Sequence, residues 1–245
     1  MVFKVIRYKK VTSTNDVCQN LASEGAAHGT VVVSEYQEFG RGQRGNTWES
    51  EKSKNLTFSI LTRPTFLSVV EQFYLSKITA LSVTDWISAY IEKNRVKIKW
   101  PNDIYVDDKK IAGILIENSF STQYINTSII GIGININQDE FSDELPNPTS
   151  LKVENGNEID LELCLAEILE CFKGRFAMLE QGQNYDIDKD YLNRIYRKDK
   201  YFTYLSGTTK FEAKIVDVEP TGELVLQTKS GEVKRFAFKE IGFVI

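Results

Sequence analysis

An α+β fold is predicted, with a mixture of strands and helices through residue 198 and a small all-β unit after it. Three observations carry this. Short β-branched or alternating runs recur at 3–8, 30–34, 56–61, 96–100, 104–106, 110–117 and 124–132. Two longer stretches, 68–93 and 161–176, space their apolar residues as a helix does. Past Arg-Lys-Asp-Lys at 197–200 the helical period vanishes, leaving short strands separated by Pro- and Gly-bearing turns.

The first strand, 3–8, alternates apolar and polar side chains. Ser13 followed by Asp16 has the spacing of a capping box, so a helix is expected over 15–24, ending near Gly25. The run at 30–34 is β-branched throughout and reads as a buried strand. A strand at 56–61 stops at Arg63-Pro64. The stretch 68–93, with Val69, Phe73, Ile78, Leu81, Trp86 and Tyr90, reads as one long core helix. Residues 96–100 form a strand ending at Pro101-Asn102-Asp103, and 104–106 pairs with 110–117 across the turn Asp107-Asp108. Whether that last strand presents a sheet edge, to self-pairing as a homodimer or to a partner's strand, is left open by the sequence. A β-rich stretch from 124 to 132, a polar loop at 138–150 and helices around 161–176 and 191–195 complete the first domain, 1–198. Residues 199–245 form the second, near the lower size limit for folding alone and therefore expected to lean on the first.

Composition narrows the function. The chain has 245 residues, 42% hydrophobic and 26% charged, enough for a real core. Its net charge of −4 argues against general nucleic-acid binding. No apolar run reaches membrane-spanning length and the N-terminus lacks a signal peptide's apolar centre, so a cytoplasmic location without membrane contact is expected. Three scattered cysteines fit neither a disulfide framework nor a zinc site, and one histidine, His28, makes transition-metal or triad chemistry improbable. Chemistry therefore falls to Arg, Lys, Asp and backbone.

The richest stretch is 40–45, Gly-Arg-Gly-Gln-Arg-Gly, with three glycines and two arginines in six positions. Glycine lets a backbone approach a ligand closely, and arginine presents a permanently charged fork to phosphate or carboxylate. The pattern also matches the dinucleotide fingerprint, but that motif opens a helix and needs an acidic residue about 20 positions on. Here polar Asn46-Thr47-Trp48 follows, and no Asp or Glu lies between Lys52 and Val70. Kinase signatures are absent as well.

Five segments in order resemble the catalytic domain of biotin protein ligases. They are Ser13-Thr14-Asn15; Glu35-Tyr36-Gln37 with the glycine loop through Trp48; Lys99-Trp100-Pro101-Asn102-Asp103-Ile104-Tyr105; residues 109–117; and Gly131-Ile132-Gly133-Ile134-Asn135. The resemblance implies a class II synthetase-like mixed β-sheet backed by helices, with an SH3-like β-barrel at the C-terminus. It implies a two-step reaction: biotin and ATP give biotinyl-AMP, and a lysine of a biotin carboxyl carrier protein then takes the biotin, with Mg²⁺ accompanying the phosphates. Carried over by position, Ser13, Thr14, Asn15, Gln37, Gly40, Arg41, Gly42, Gln43, Lys110 and Gly113 hold biotin or its adenylate. Arg41, Asn102, Asp103, Lys110 and Asn135 serve the nucleotide, and Asp103 the metal. Lys110, Arg41 and Arg44 are the expected cations of the chemical step. Taken singly, Lys110 also reads as a solvated hairpin lysine and Asn102 as turn chemistry.

Two departures stand out. Some members carry an arginine where this chain has Gln43, and bifunctional members have a helix-turn-helix ahead of the Ser-Thr-Asn segment, which 12 residues cannot accommodate. Specific DNA binding is thus not expected. The rival readings are a lipoate–protein ligase of related fold and a non-catalytic biotin-binding regulator.

Overall fold

The computed structural model describes residues 1–244, with Arg44 described by its backbone alone. Seven strands, β1 Lys4–Tyr8, β2 Thr30–Ser34, β3 Leu56–Thr62, β4 Val96–Lys99, β5 Asp103–Val106, β6 Lys109–Ser121 and β7 Tyr124–Ile134, form one sheet in the order β1-β2-β3-β7-β6-β5-β4. β1 and β2 run parallel and the remaining neighbours antiparallel, so the sheet is mixed.

Helices cover its two faces unequally. On one side lie α2 Phe73–Ile87, α4 Leu161–Glu180 and α5 Asn184–Arg194. They bury Phe58 and Ile60 of β3 and Ile130, Ile132 and Ile134 of β7 in the main core. On the other side sits α1 Thr14–Ser23 alone, with a small cluster of Cys18, Val32, Leu61 and Ile129 beneath it. The rest of that second face is left open as a cleft.

The helix expected over 68–93 is shorter. A 3-10 turn at Val69–Glu71 precedes α2, because Val69 N–H donates to Gln123 O at the β6–β7 hairpin and pulls the chain off the helix axis. Its other end closes at Ser88, where Ala89 and Tyr90 N–H groups bond three residues back. The question of a sheet edge at 110–117 is answered in part. β6 lies inside the sheet, with β5 paired to residues 109–113 and β7 to 112–121. It outruns the short β5, so that from Leu115 onward it pairs with β7 alone, while at its start Lys109 and Lys110 pair with β5 alone among the strands. A short helix unforeseen in the sequence, α3 Leu151–Asn155, is capped by the Ser150 hydroxyl, which accepts from Val153 N–H, and stops at Gly156 with φ +79°.

A second, antiparallel sheet of β8 Phe202–Ser206, β9 Thr209–Val218, β10 Leu224–Thr228, β11 Val233–Phe236 and β12 Gly242–Phe243 follows in the order β11-β10-β9-β8-β12. It shares one continuous core with the first unit, as its small size demands. Two polar clamps hold it: Trp100 Nε1 donates to Gly222 O at 2.9 Å, and buried Lys77 donates to Val218 O at 3.0 Å and Asp188 at 2.7 Å.

Candidate functional site

The open face of the large sheet holds a cleft of about 360 Å³. Its floor follows from glycines at alternate positions. Strand registry sets Thr57, Gly133, Gly113 and Asp103 in one row across four strands, with Ser59, Gly131 and Leu115 in the next. The glycines leave the floor bare where large groups must approach. A Cβ on Gly133 would fall 2.4 Å from the Trp48 ring, one on Gly113 3.2 Å from it, and one on Gly131 2.2 Å from Asn15 Oδ1. Trp48 and Asn15 thus lie directly on the sheet.

One end of the cleft is built from uncharged, closely hydrogen-bonded side chains, with the Arg41–Glu117 ion pair at its margin. Ser13, Thr14 and Asn15 are buried at the start of α1. Ser13 is the N-cap, but the capping box expected with Asp16 does not form. Gln37 takes over from a distant loop, its Oε1 accepting from Thr14 N–H at 2.7 Å and Thr14 Oγ1 at 3.1 Å. Ser59 Oγ joins Thr14 Oγ1 at 2.8 Å and Asn15 Oδ1 at 2.6 Å. The Asn15 amide donates to Glu117 at 2.7 Å. These groups hold one another, while Ser13, which also lines the cleft, makes no side-chain cap bond to the helix.

The other end is charged. Lys110 Nζ lies 2.7 Å from Asp103 Oδ1 and 5.8 Å from the centre of the Trp48 ring. A β-bulge aims it there. Ile104 pairs with Ala112 and Tyr105 with Lys110, so Ile111 is the extra residue. Plain alternation would put Lys110 and Gly113 on opposite faces. The bulge brings both to the cleft, where a Cβ on Gly113 would be 3.4 Å from Lys110 Cε. Asn102 Nδ2 donates to Ile114 O at 2.9 Å, fastening the cis Trp100–Pro101 turn to β6. Lys99 donates to the Tyr105 hydroxyl at 2.9 Å.

The glycine loop spans the two ends. It opens no α-helix, in keeping with the sequence; a 3-10 turn at Gln43–Gly45 sits between an Arg41–Thr47 bridge and a Trp48 N–H bond to Gly40 O at 2.9 Å. Arg41 reaches the cleft with its charge already engaged, donating to both Glu117 oxygens at 3.0 and 2.8 Å and lying 2.7 Å from Asp16. All three side chains are partly exposed, so the cluster contributes little to stability but ties the loop to β6 and α1. Gln43 Oε1 and Trp48 Nε1 are buried without a hydrogen-bond partner among the described residues.

Most sequence-predicted residues meet here: Ser13, Thr14, Asn15, Gln37, Arg41, Gly42, Gln43, Asn102, Asp103, Lys110 and Gly113 all line the cleft. Gly40 does not; it lies against the Trp48 carbonyl, which a Cβ would meet at 2.3 Å. Asn135 does not either. It is buried, its amide donating to Thr149 O at 2.9 Å. The Arg44 side chain lies outside the described residues. Sequence reading quoted Trp48, Gly131, Gly133 and Glu117 in the resembling segments but gave them no role, and it missed a wall from the C-terminal unit made by Phe238, Ile241 and Phe243. The alternation Ile-Gly-Ile-Gly-Ile at 130–134 carried a legible sign of a strand bare on one face. The remote wall carried none. Among the described residues no three carboxylate, His or Cys side chains gather as a metal site.

Known proteins share this architecture and sequence. The model of the biotin/lipoate A/B protein ligase family matches residues 7–135, a span holding every cleft residue of the large sheet. The bifunctional ligase/repressor BirA of Bacillus subtilis is 31% identical over 252 residues, covering 95% of this chain and 72% of that protein. The biotin–[acetyl-CoA-carboxylase] ligase of Paracoccus denitrificans is 27% identical, with 91% and 93% covered. The biotin protein ligase from Aquifex aeolicus, solved in complex with biotin and ATP, superimposes with a TM-score of 0.80 at 27% identity over 98% of this chain and 97% of that one. On this footing the chain belongs to the biotin/lipoate A/B protein ligase family.

Proposed function

We propose that this protein activates biotin with MgATP and transfers it to a lysine of a biotin carboxyl carrier protein. The observation that carries this reading is the division of the cleft: one glycine floor joins a pocket of uncharged hydrogen-bonding side chains, edged by the Arg41–Glu117 ion pair, to a lysine–aspartate pair beside an aromatic ring. A neutral ureido ring suits the first, and phosphates with a purine suit the second. A volume of about 360 Å³ is within the range of small-molecule sites.

In the first step a biotin carboxylate oxygen attacks the α-phosphorus, an O–P bond forms and pyrophosphate leaves. In the second the carrier amine attacks the acyl carbon, an amide bond forms, AMP leaves and the amine gives up a proton. Lys110 is fixed on β6 by the bulge and its neighbours, so its charge is in place before negative charge builds on the phosphates. Among the described residues Asp103 is the carboxylate paired with Lys110, and a single carboxylate with substrate phosphates is a common magnesium arrangement. Metal bound with ATP would draw Asp103 and leave Lys110 to the phosphates. Arg41 positions the loop through Glu117 and Asp16. Arg44 remains the loop's second cation in this reading.

The test supplies biotin or lipoate with MgATP and pyrophosphatase, then examines a carrier domain by mass spectrometry. Phosphate release with biotin and a biotinylated lysine are expected. Release with lipoate alone, or biotin binding without release, would overturn the proposal.

A further inference from the structure

Lys110 lies where its strand lacks an ordinary neighbour. β7 begins to pair with β6 only at Ala112, leaving the Lys110 N–H and C=O on that side to other partners. A piece of the 138–150 loop supplies them: Lys110 N–H donates to Asn147 O at 2.7 Å, and Thr149 N–H donates to Lys110 O at 2.9 Å. Residues 147–149 thus act as a fragment of strand laid beside the lysine.

Thr149 is fully buried, and each of its polar groups serves a different element. Its N–H holds Lys110, its carbonyl accepts from Asn135 Nδ2 at 2.9 Å, and its hydroxyl donates to Glu154 Oε1 at 2.7 Å. Glu154, on α3 and nearly buried, accepts from Arg95 Nη2 at 2.6 Å through its other oxygen. Arg95 Nε in turn donates to Asp107 at 2.9 Å, in the turn three residues before Lys110. The bonds close a ring around the turn that carries the lysine.

We infer that Thr149 and Glu154 are positioning residues for the activation step, holding the Lys110 backbone so that its ammonium points at one place. The inference rests on the biotin-ligase reading. Lysine has a long flexible stem, so its aim depends on a fixed root, and misplacement by about 1 Å can cost on the order of 10²-fold in rate. The ring also accounts for Asn135, which acts here through Thr149.

The experiment compares Thr149→Val, Thr149→Ser and Glu154→Gln with the parent. It measures kcat and the biotin KM in biotin-dependent pyrophosphate exchange into ATP, and hydrogen exchange at the Lys110 amide. Valine keeps the branched shape and loses only the hydroxyl. We expect kcat to fall about tenfold with KM for biotin within about twofold, a fraction of the misplacement limit, and the Lys110 amide to exchange faster. Serine should restore both, and Glu154→Gln should follow valine. Parent-like kcat in Thr149→Val, or a loss explained by its unfolded fraction with Lys110 exchange unchanged, overturns the inference. A parent that shows no exchange with biotin removes the functional reading and this role with it, whereas an active parent with unaffected variants removes only the role.

Discussion

The two faces of the large sheet are made from the same strands and do opposite work. Toward α2 and α4, β7 presents Ile130, Ile132 and Ile134 to the main core; toward the cleft the residues between them are Gly131 and Gly133. One face gains stability from filled volume, and the other gains a site from volume withheld. A single strand can do both because successive side chains point to opposite faces. The comparison teaches that substitutions one residue apart should fail in different ways, one in chemistry and the other in folding.

The sharpest test lies on the cleft face. Lys110→Ala should slow adenylate formation by roughly 10²–10³-fold, as for loss of one preorganised donor. Lys109→Ala should change the rate little, since Lys109 is exposed and outside the cleft lining. Melting curves of both should stay near the parent, and pyrophosphate exchange decides between them. A crippled Lys109 variant would reverse the assignment.

Gly133→Ala comes next. Its new methyl would lie 2.4 Å from the Trp48 ring, so the indole and the loop behind it must shift. A loss of about 10–10²-fold in exchange rate is expected from such misplacement, with melting temperature changed little. Normal kinetics would mean that the ring's seat on the floor is dispensable.

Ile130→Ala breaks the comparison from the other side. Ile130 is fully buried in the main core, and its truncation should cost about 2–5 kcal/mol of stability. Denaturant titration should show the lower midpoint, while kcat measured well below the melting temperature should remain near the parent. A large kcat loss in fully folded protein would show that the faces are not separable.

The smallest effect concerns pH, away from the cleft. Burial holds the His28 imidazole below its ordinary pKa, while its Nδ1 accepts from Arg63 N–H at 3.0 Å. The unfolded chain therefore takes up this proton first as pH falls. Its contribution to stability is complete above the ordinary histidine pKa of about 6.5 and is lost progressively below it. His28→Gln should flatten the parent's loss of melting temperature between pH 7.5 and 5. An identical slope in both would exclude the linkage, and no change in biotin activation is expected.

Much of this protein was legible before folding. Periodicity located the strands of the large sheet because burial of one face or both imposes a period that survives in the sequence. The glycine loop announced an anion-facing segment by its own composition, whereas Ser13-Thr14-Asn15, residues 99–105 and 109–117 were marked as cleft residues only by their resemblance to the biotin protein ligases, since read singly they fit a helix cap, a turn and a solvated lysine. What the tertiary structure alone decided were relations between distant segments. Gln37 replaced the expected capping box because it reaches Thr14 across 23 positions. Arg41 gave its charge to Glu117, 76 positions away, and the bulge at Ile111 turned Lys110 and Gly113 to one face. The wall from Phe238 to Phe243 exists because the small second sheet must share the first unit's core, and that docking carries it to the cleft. Local patterning is set by neighbours along the chain, whereas charge partners, register shifts and docked walls depend on which surfaces meet when the core closes.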